Sequence, residues 1–168
     1  MPYPTAQPSW RTALFRGLSS ALVAVFCYAT VRLVPSLLEP YWAPIAALVV
    51  LYPEREATKK AAFDRFVGTL IGCFIGWGSC VWWHESVALY GVAVALAVGI
   101  CIVLRLDRAS RLCAVAVTVL TLVPHAEPAH RVAFHRFVEV SYGVVCALGY
   151  TMLTDLIREH WQRKRVAK

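Results

Sequence analysis

Tyr41-Trp42-Ala43-Pro44-Ile45-Ala46-Ala47-Leu48-Val49-Val50-Leu51-Tyr52-Pro53, or YWAPIAALVVLYP, decides how the chain folds. These thirteen residues are apolar, aromatic at one end, closed by proline and followed at once by Glu54-Arg55-Glu56. As a helix rising ~1.5 Å per residue the stretch reaches only ~20 Å, against a bilayer core ~30 Å thick. Pro44 lies inside it, where a proline can break or kink a helix. The stretch is too apolar for a surface loop and too short for a comfortable membrane crossing. Leu112–Pro124 (LCAVAVTVLTLVP), 71 residues further on, has the same length and the same terminal proline.

The rest of the chain gives this pair a membrane setting. It is 59% hydrophobic and 16% charged, with mean hydropathy +0.59; a soluble domain carries roughly a quarter charged residues. The apolar runs do not alternate with polar residues, as the strands of a transmembrane barrel would. The class is therefore all-α and membrane-spanning, and the 168 residues form a single transmembrane domain with short loops. The six cysteines all fall in apolar runs without a CxxC pair, so they read as small buried hydrophobes.

Six spans follow in order. The first is about Leu14–Val34, read as retained rather than cleaved as a signal, and Pro35–Pro40 connects it to the opening stretch. Ala57–Asp64 begins the helix of the third span, about Phe66–Trp83, where Gly68, Gly72 and Gly76 form a ridge of small residues suited to close helix approach. Trp82 and Trp83 read as an interfacial belt, and His84-Glu85 as a minimal turn. The fourth span is the uncharged Ser86–Leu104. An arginine-bearing loop, Arg105–Arg111, leads to the short fifth, and the sixth is about Phe134–Leu156. Residues 157–168 form a basic tail. With both termini inside, fourteen of the seventeen lysines and arginines face the cytoplasm, as the positive-inside rule requires. The net charge of +7 is then loop charge facing an anionic leaflet, and nucleic acid is excluded as a partner.

Shifting the chain by 71 residues brings Pro53 onto Pro124, Arg65 onto Arg136, Gly72 onto Gly143 and Gly78 onto Gly149. Spans 1–3 (about 14–83) thus repeat as spans 4–6 (about 86–156) without a gap. Three is odd, so the second copy crosses in the opposite sense, and short or proline-interrupted segments at matching positions of such repeats point to a binding region. On this reading Arg65 lies near the cytoplasmic face, Arg136 near the outer face, and the two short segments meet in the middle of the protomer or at a dimer axis.

Arg65 shares a helix face with Gly68, Gly72 and Gly76, and a guanidinium there can hold a carboxylate through two parallel hydrogen bonds. The glycines admit either an anion or a partner helix. Both arginines also sit at span ends, where they can instead anchor to headgroups. Glu139 is the proton-coupling candidate, since intramembrane carboxyls are costly and mark proton relays; one turn from Arg136, it can equally form a structural ion pair. Tyr41 and Trp42 can stack an aromatic substrate or serve as belt residues. His125, His130 and His135, five apart with Glu127 among them, do not match the i, i+4 spacing of a helical metal site. No nucleophile–base–acid set, phosphate loop or catalytic carboxylate pair occurs, so no enzyme, cofactor or metal is expected.

The run YWAPIAALVVLYPE, then AAFDRFVGTLIGCFIGW and FHRFVEVSYGVVCAL, resembles the fusaric acid resistance family of aromatic acid exporters, itself distantly similar to plant aluminium-activated malate channels. The resemblance covers about Ala13–Leu156. It is most specific at Tyr41-Trp42-Ala43, Pro53, Arg65-x-x-Gly68-Thr69-x-x-Gly72 and Arg136-x-x-Glu139-x-x-x-Gly143. It implies a bacterial inner-membrane protein that exports aromatic carboxylates or related organic anions, driven by protons. Tyr41, Trp42, Arg65, Thr69 and Arg136 would form the substrate site, with Glu139 coupling protons. Pro44, Pro53, Gly68, Gly72, Gly76, Pro124 and Gly143 would shape the helices. Longer members of that family join two six-span units and add large cytosolic domains, so a homodimer or homo-oligomer would restore the membrane part. A passive anion channel and a non-transporting scaffold subunit are the alternatives.

Overall fold

A computed structural model describes residues 10–34, 39–82, 86–124 and 126–166. The described residues form six helices and no strand: α1 (Trp10–Val31), α2 (Trp42–Val50), α3 (Arg55–Trp82), α4 (Val87–Val103), α5 (Asp107–Leu122) and α6 (Ala129–Val166). Most of the Pro35–Pro40 connection, Trp83, the His84-Glu85 turn, His125 and the end of the basic tail lie outside the described residues, as does the Trp82 side chain.

The opening stretch is the shortest helix, nine residues or ~14 Å. Pro44 is its third residue and breaks nothing, because the N–H groups of a first helical turn have no intrahelical acceptor to lose. Helix α5 starts five residues before the expected Leu112, so Arg108 and Arg111 are helical rather than loop residues. Asp107 in its first turn complements the helix dipole. Arg105 turns the chain from α4 into α5 with φ 58°, while Leu106 N–H reaches Cys101 O at 2.8 Å and Arg105 N–H reaches Ile102 O at 2.9 Å, the closure of a left-handed helix end. Helix α6 runs 38 residues. The expected tail continues it, since no glycine or proline interrupts residues 157–166.

Two helical stretches, Trp10–Val31 and Ala129–Lys164, are long and apolar enough to cross a membrane, by length and composition; Val87–Val103 is a shorter apolar helix. Helix α3 is 28 residues long, but Arg55, Glu56, Lys59, Lys60, Asp64 and Arg65 load its first eleven residues with charge. The outer helices present Phe15, Leu22 and Phe26 of α1 and Val92, Leu96 and Ile102 of α4 outward, side chains suited to hydrocarbon.

Helices α3 and α6 pack together at the centre. Helix α5 lies on α3 and also touches α6; α2 lies on α6 and also touches α3; α1 covers α2 and α6, and α4 covers α5 and α3. Exchanging α1–α3 with α4–α6 maps the α3–α6 pair onto itself and every other contacting pair onto another contacting pair. Phe66 and Phe137, 71 residues apart, stack on each other with centroids 5.0 Å apart. The buried positions repeat too, but not at one constant shift. Val23, Cys27 and Val31 of α1 answer Ala93, Ala97 and Cys101 of α4, and Ala43, Ala46, Ala47 and Val50 of α2 answer Cys113, Ala116, Val117 and Leu120 of α5, all by 70 residues. Ala62, Arg65, Thr69 and Cys73 of α3 answer Ala133, Arg136, Val140 and Val144 of α6 by 71. The buried positions therefore coincide at a shift of 70 as far as Leu120 and of 71 from Ala133 on, where the ungapped match expects 71 throughout.

The glycine ridge receives a helix, not a ligand. A Cβ on Gly72 would stand 2.6 Å from Cys113 O and 2.6 Å from Ala116 Cβ of α5; on Gly68 it would stand 2.7 Å from Ala109 O, and on Gly76 it would stand 3.1 Å from Leu120 Cβ. Gly143 likewise meets Ala43 O and Ala46 Cβ of α2. The two short helices, expected to meet, bring no Cα atoms within 8 Å of each other among the described residues; each has its small-residue face on a long central helix, and both reach the one cavity that Trp42 and Leu112 line.

Candidate functional site

Arg65 lies ten residues into α3 and Arg136 seven into α6, about 15 Å and 10 Å from the respective helix starts. Expected near opposite faces, they instead line one cavity, with Trp42, Thr69, Val140 and Leu112. Its volume is about 10 Å³, room for roughly one water. The lining includes three pairs spaced 70 or 71 residues apart in sequence: Arg65 and Arg136, Thr69 and Val140, and Trp42 and Leu112. Both arginines are buried, 6% and 3% exposed. That removes headgroup anchoring, which needs a side chain that reaches the interface.

The two guanidiniums have different surroundings. Arg136 Nη2 donates to Glu39 Oε2 at 3.2 Å, and its guanidinium carbon stands 3.4 Å from the centroid of the Trp42 ring. The Trp42 indole N–H donates to the same Glu39 oxygen at 2.7 Å. Arg65 has no carboxylate within 4.0 Å among the described residues, and its buried Nε has no hydrogen-bond partner. The sequence accounts for the difference. The first residue of α2, Trp42, and Glu39 in the connection just before it reach Arg136; the positions seventy residues on are Ala109 and Leu112, which offer Arg65 neither charge nor ring.

Glu139 is 1% exposed and accepts the backbone N–H of Glu39 at 2.9 Å. The expected alternative of an Arg136–Glu139 ion pair does not form within 4.0 Å; Glu39 takes Arg136 instead. Glu139 also lines a second cavity, a vestibule of about 190 Å³ shared with Glu39, Glu127, His135 and Arg136. Among the described residues Arg136 alone faces both spaces. Tyr41 is 47% exposed and outside the central cavity, with its ring 5.6 Å from that of Trp42. Pro53 and Pro124 follow the ends of α2 and α5, where each chain turns toward a central helix.

Sequence reasoning did not single out Glu39. The signal was there: it is the sole acidic residue in the first 53 positions, three before Trp42. A larger cavity of about 610 Å³ lies between α1, the end of α2 and α6, lined by Arg16, Ser20, Tyr52, Tyr150, Thr151 and Arg158. Another cavity, about 240 Å³, is lined by Ser79, Cys80, Ser86, Tyr90 and Leu122.

Residues 20–149 match a family model described as fusaric acid resistance protein-like. No curated protein and no solved structure matches the chain.

Proposed function

Since the chain belongs to the fusaric acid resistance protein-like family, we propose that it exports aromatic carboxylates or related organic anions through the Arg65–Arg136 cavity. Membership of that family suggests a membrane transport or efflux role, which fits a protein that is not an enzyme. The observation that carries the finer reading is Arg65. A buried guanidinium without a counter-ion is costly, and a site that keeps one is prepared for an anion. A carboxylate between Arg65 and Arg136 would satisfy nitrogens that now lack partners, with Thr69 able to donate a further hydrogen bond. Trp42 offers an aromatic face beside it.

The six helices then act as two inverted three-helix repeats. The support is the closed set of helix contacts, the repeating burial and the self-paired Phe66 and Phe137, since residues at a two-fold axis meet their own equivalents. The cavity has room for about one water; rocking of one repeat against the other would open it to an anion. Glu139, buried beside the vestibule, is the group to take up a proton during the cycle. We place the protein in a bacterial inner membrane with both termini cytoplasmic, as the distribution of arginines and lysines favours, and as a homodimer or homo-oligomer in lipid.

Reconstituted in liposomes, the protein is expected to move a labelled hydroxybenzoate in response to an imposed pH gradient. Anion current independent of the gradient would select a passive channel. Absence of flux for every organic acid in a panel would select a scaffold subunit and refute transport.

A further inference from the structure

The Glu39–Arg136 pair stands where the vestibule meets the central cavity: Glu39 lines the first, Trp42 the second, and Arg136 both. The Glu39 carboxylate is held as an incoming carboxylate would be, by a guanidinium at 3.2 Å and an N–H at 2.7 Å beside an aromatic face. Its grip is incomplete. Arg136 keeps Nε and Nη1 without partners, whereas a free carboxylate can take two guanidinium nitrogens at once. The Glu39 backbone is fixed through its N–H on Glu139, but the side chain retains 23% exposure. The carboxylate can therefore leave Arg136 by rotating about its own bonds toward the vestibule, with the helices unmoved.

We propose that Glu39 is a tethered competitor for the carboxylate of the transported anion. In the empty site it neutralises Arg136 and separates the vestibule from the central cavity. When a monocarboxylate takes Arg136, Glu39 swings into the vestibule, and its return helps to expel the anion. Exchanging one carboxylate for another spares the buried site from holding both guanidiniums unpaired, which would be costly. This inference rests on the organic-anion reading of the cavity.

Binding of formate and of a hydroxybenzoate to the purified protein, followed by calorimetry alongside liposome flux, tests the role of Glu39. Glu39→Gln keeps the length of the side chain and an acceptor for the Trp42 N–H but removes the charge. It is expected to bind both probes roughly tenfold tighter or more, because the competent site is no longer occupied from within, and to turn over more slowly at saturation. Glu39→Asp, too short to hold both Arg136 and Trp42, should bind more tightly than wild type and less tightly than Glu39→Gln. Formate binding by Glu39→Gln that equals or falls below wild type overturns the proposal. If that variant does not fold, Glu39→Asp binding no tighter than wild type overturns it as well. Formate binding in the expected order without any binding or flux of hydroxybenzoate leaves Glu39 as a competitor and refutes the aromatic substrate. Absence of binding of either probe to wild type and variants refutes both.

Discussion

The Arg65→Gln protein is expected to fold more stably than wild type and to lose its organic anion. Arg65 is a buried guanidinium with an unpartnered Nε, so its removal relieves a cost of about 1–3 kcal/mol and should raise the melting temperature in detergent. Deleting one partner of a desolvated carboxylate contact costs about 2–5 kcal/mol, a fall in affinity of roughly 30-fold to several thousand-fold. Arg136→Gln should move stability the other way. It strips the guanidinium from Glu39 and the cation from Trp42, and breaking such a pair costs about 3 kcal/mol or more. Two arginines that line the same cavity are thus expected to give opposite changes in stability. Thermal unfolding and hydroxybenzoate titration of both variants check this; equal destabilisation would mean that Arg65 has a counter-ion after all.

The second large effect is steric. A leucine at Gly143 would drive its Cβ into the carbonyl of Ala43, and one at Gly72 into the carbonyl of Cys113. Backbone atoms cannot rotate out of the way, so α2 or α5 must lift off its central helix. The cost should reach about 3 kcal/mol or exceed it, at the upper end for overpacking. A Cβ at Gly149 meets nothing within 4 Å, and Gly149→Leu should be nearly neutral. Expression and melting temperature of the three variants decide whether these glycines are contact points or merely frequent residues in apolar helices.

Much of this was legible in the sequence because it follows from local pattern. The short segment ending in Pro53, its partner ending in Pro124, the glycine ridge and the paired arginines were all read from spacing. What spacing could not supply was depth. Arg65 and Arg136 stand at the ends of their apolar runs, but α3 and α6 begin well before those runs and carry both arginines to the centre. The single-residue change of register after Leu120 was hidden because proline, glycine and arginine matches all fall on one side of it. Glu39 escaped notice because its partner lies 97 residues away. Its role depends on which carboxylate reaches Arg136 first, and helix spacing favoured Glu139. The direction of the glycine ridge was also open in the sequence, since small residues admit an anion or a helix equally; the carbonyls of Ala109 and Cys113 decide for the helix.

The most direct measurement of the central claim is an experimental structure of the protein with a brominated hydroxybenzoate, the bromine located by its anomalous signal. The expected result is a carboxylate between Arg65 and Arg136 with the ring beside Trp42, α2 and α5 displaced outward to make room, and Glu39 turned into the vestibule. A bromine peak in the cavity between α1 and α6, against Arg16 and Arg158, with the central arginines unchanged, would contradict it.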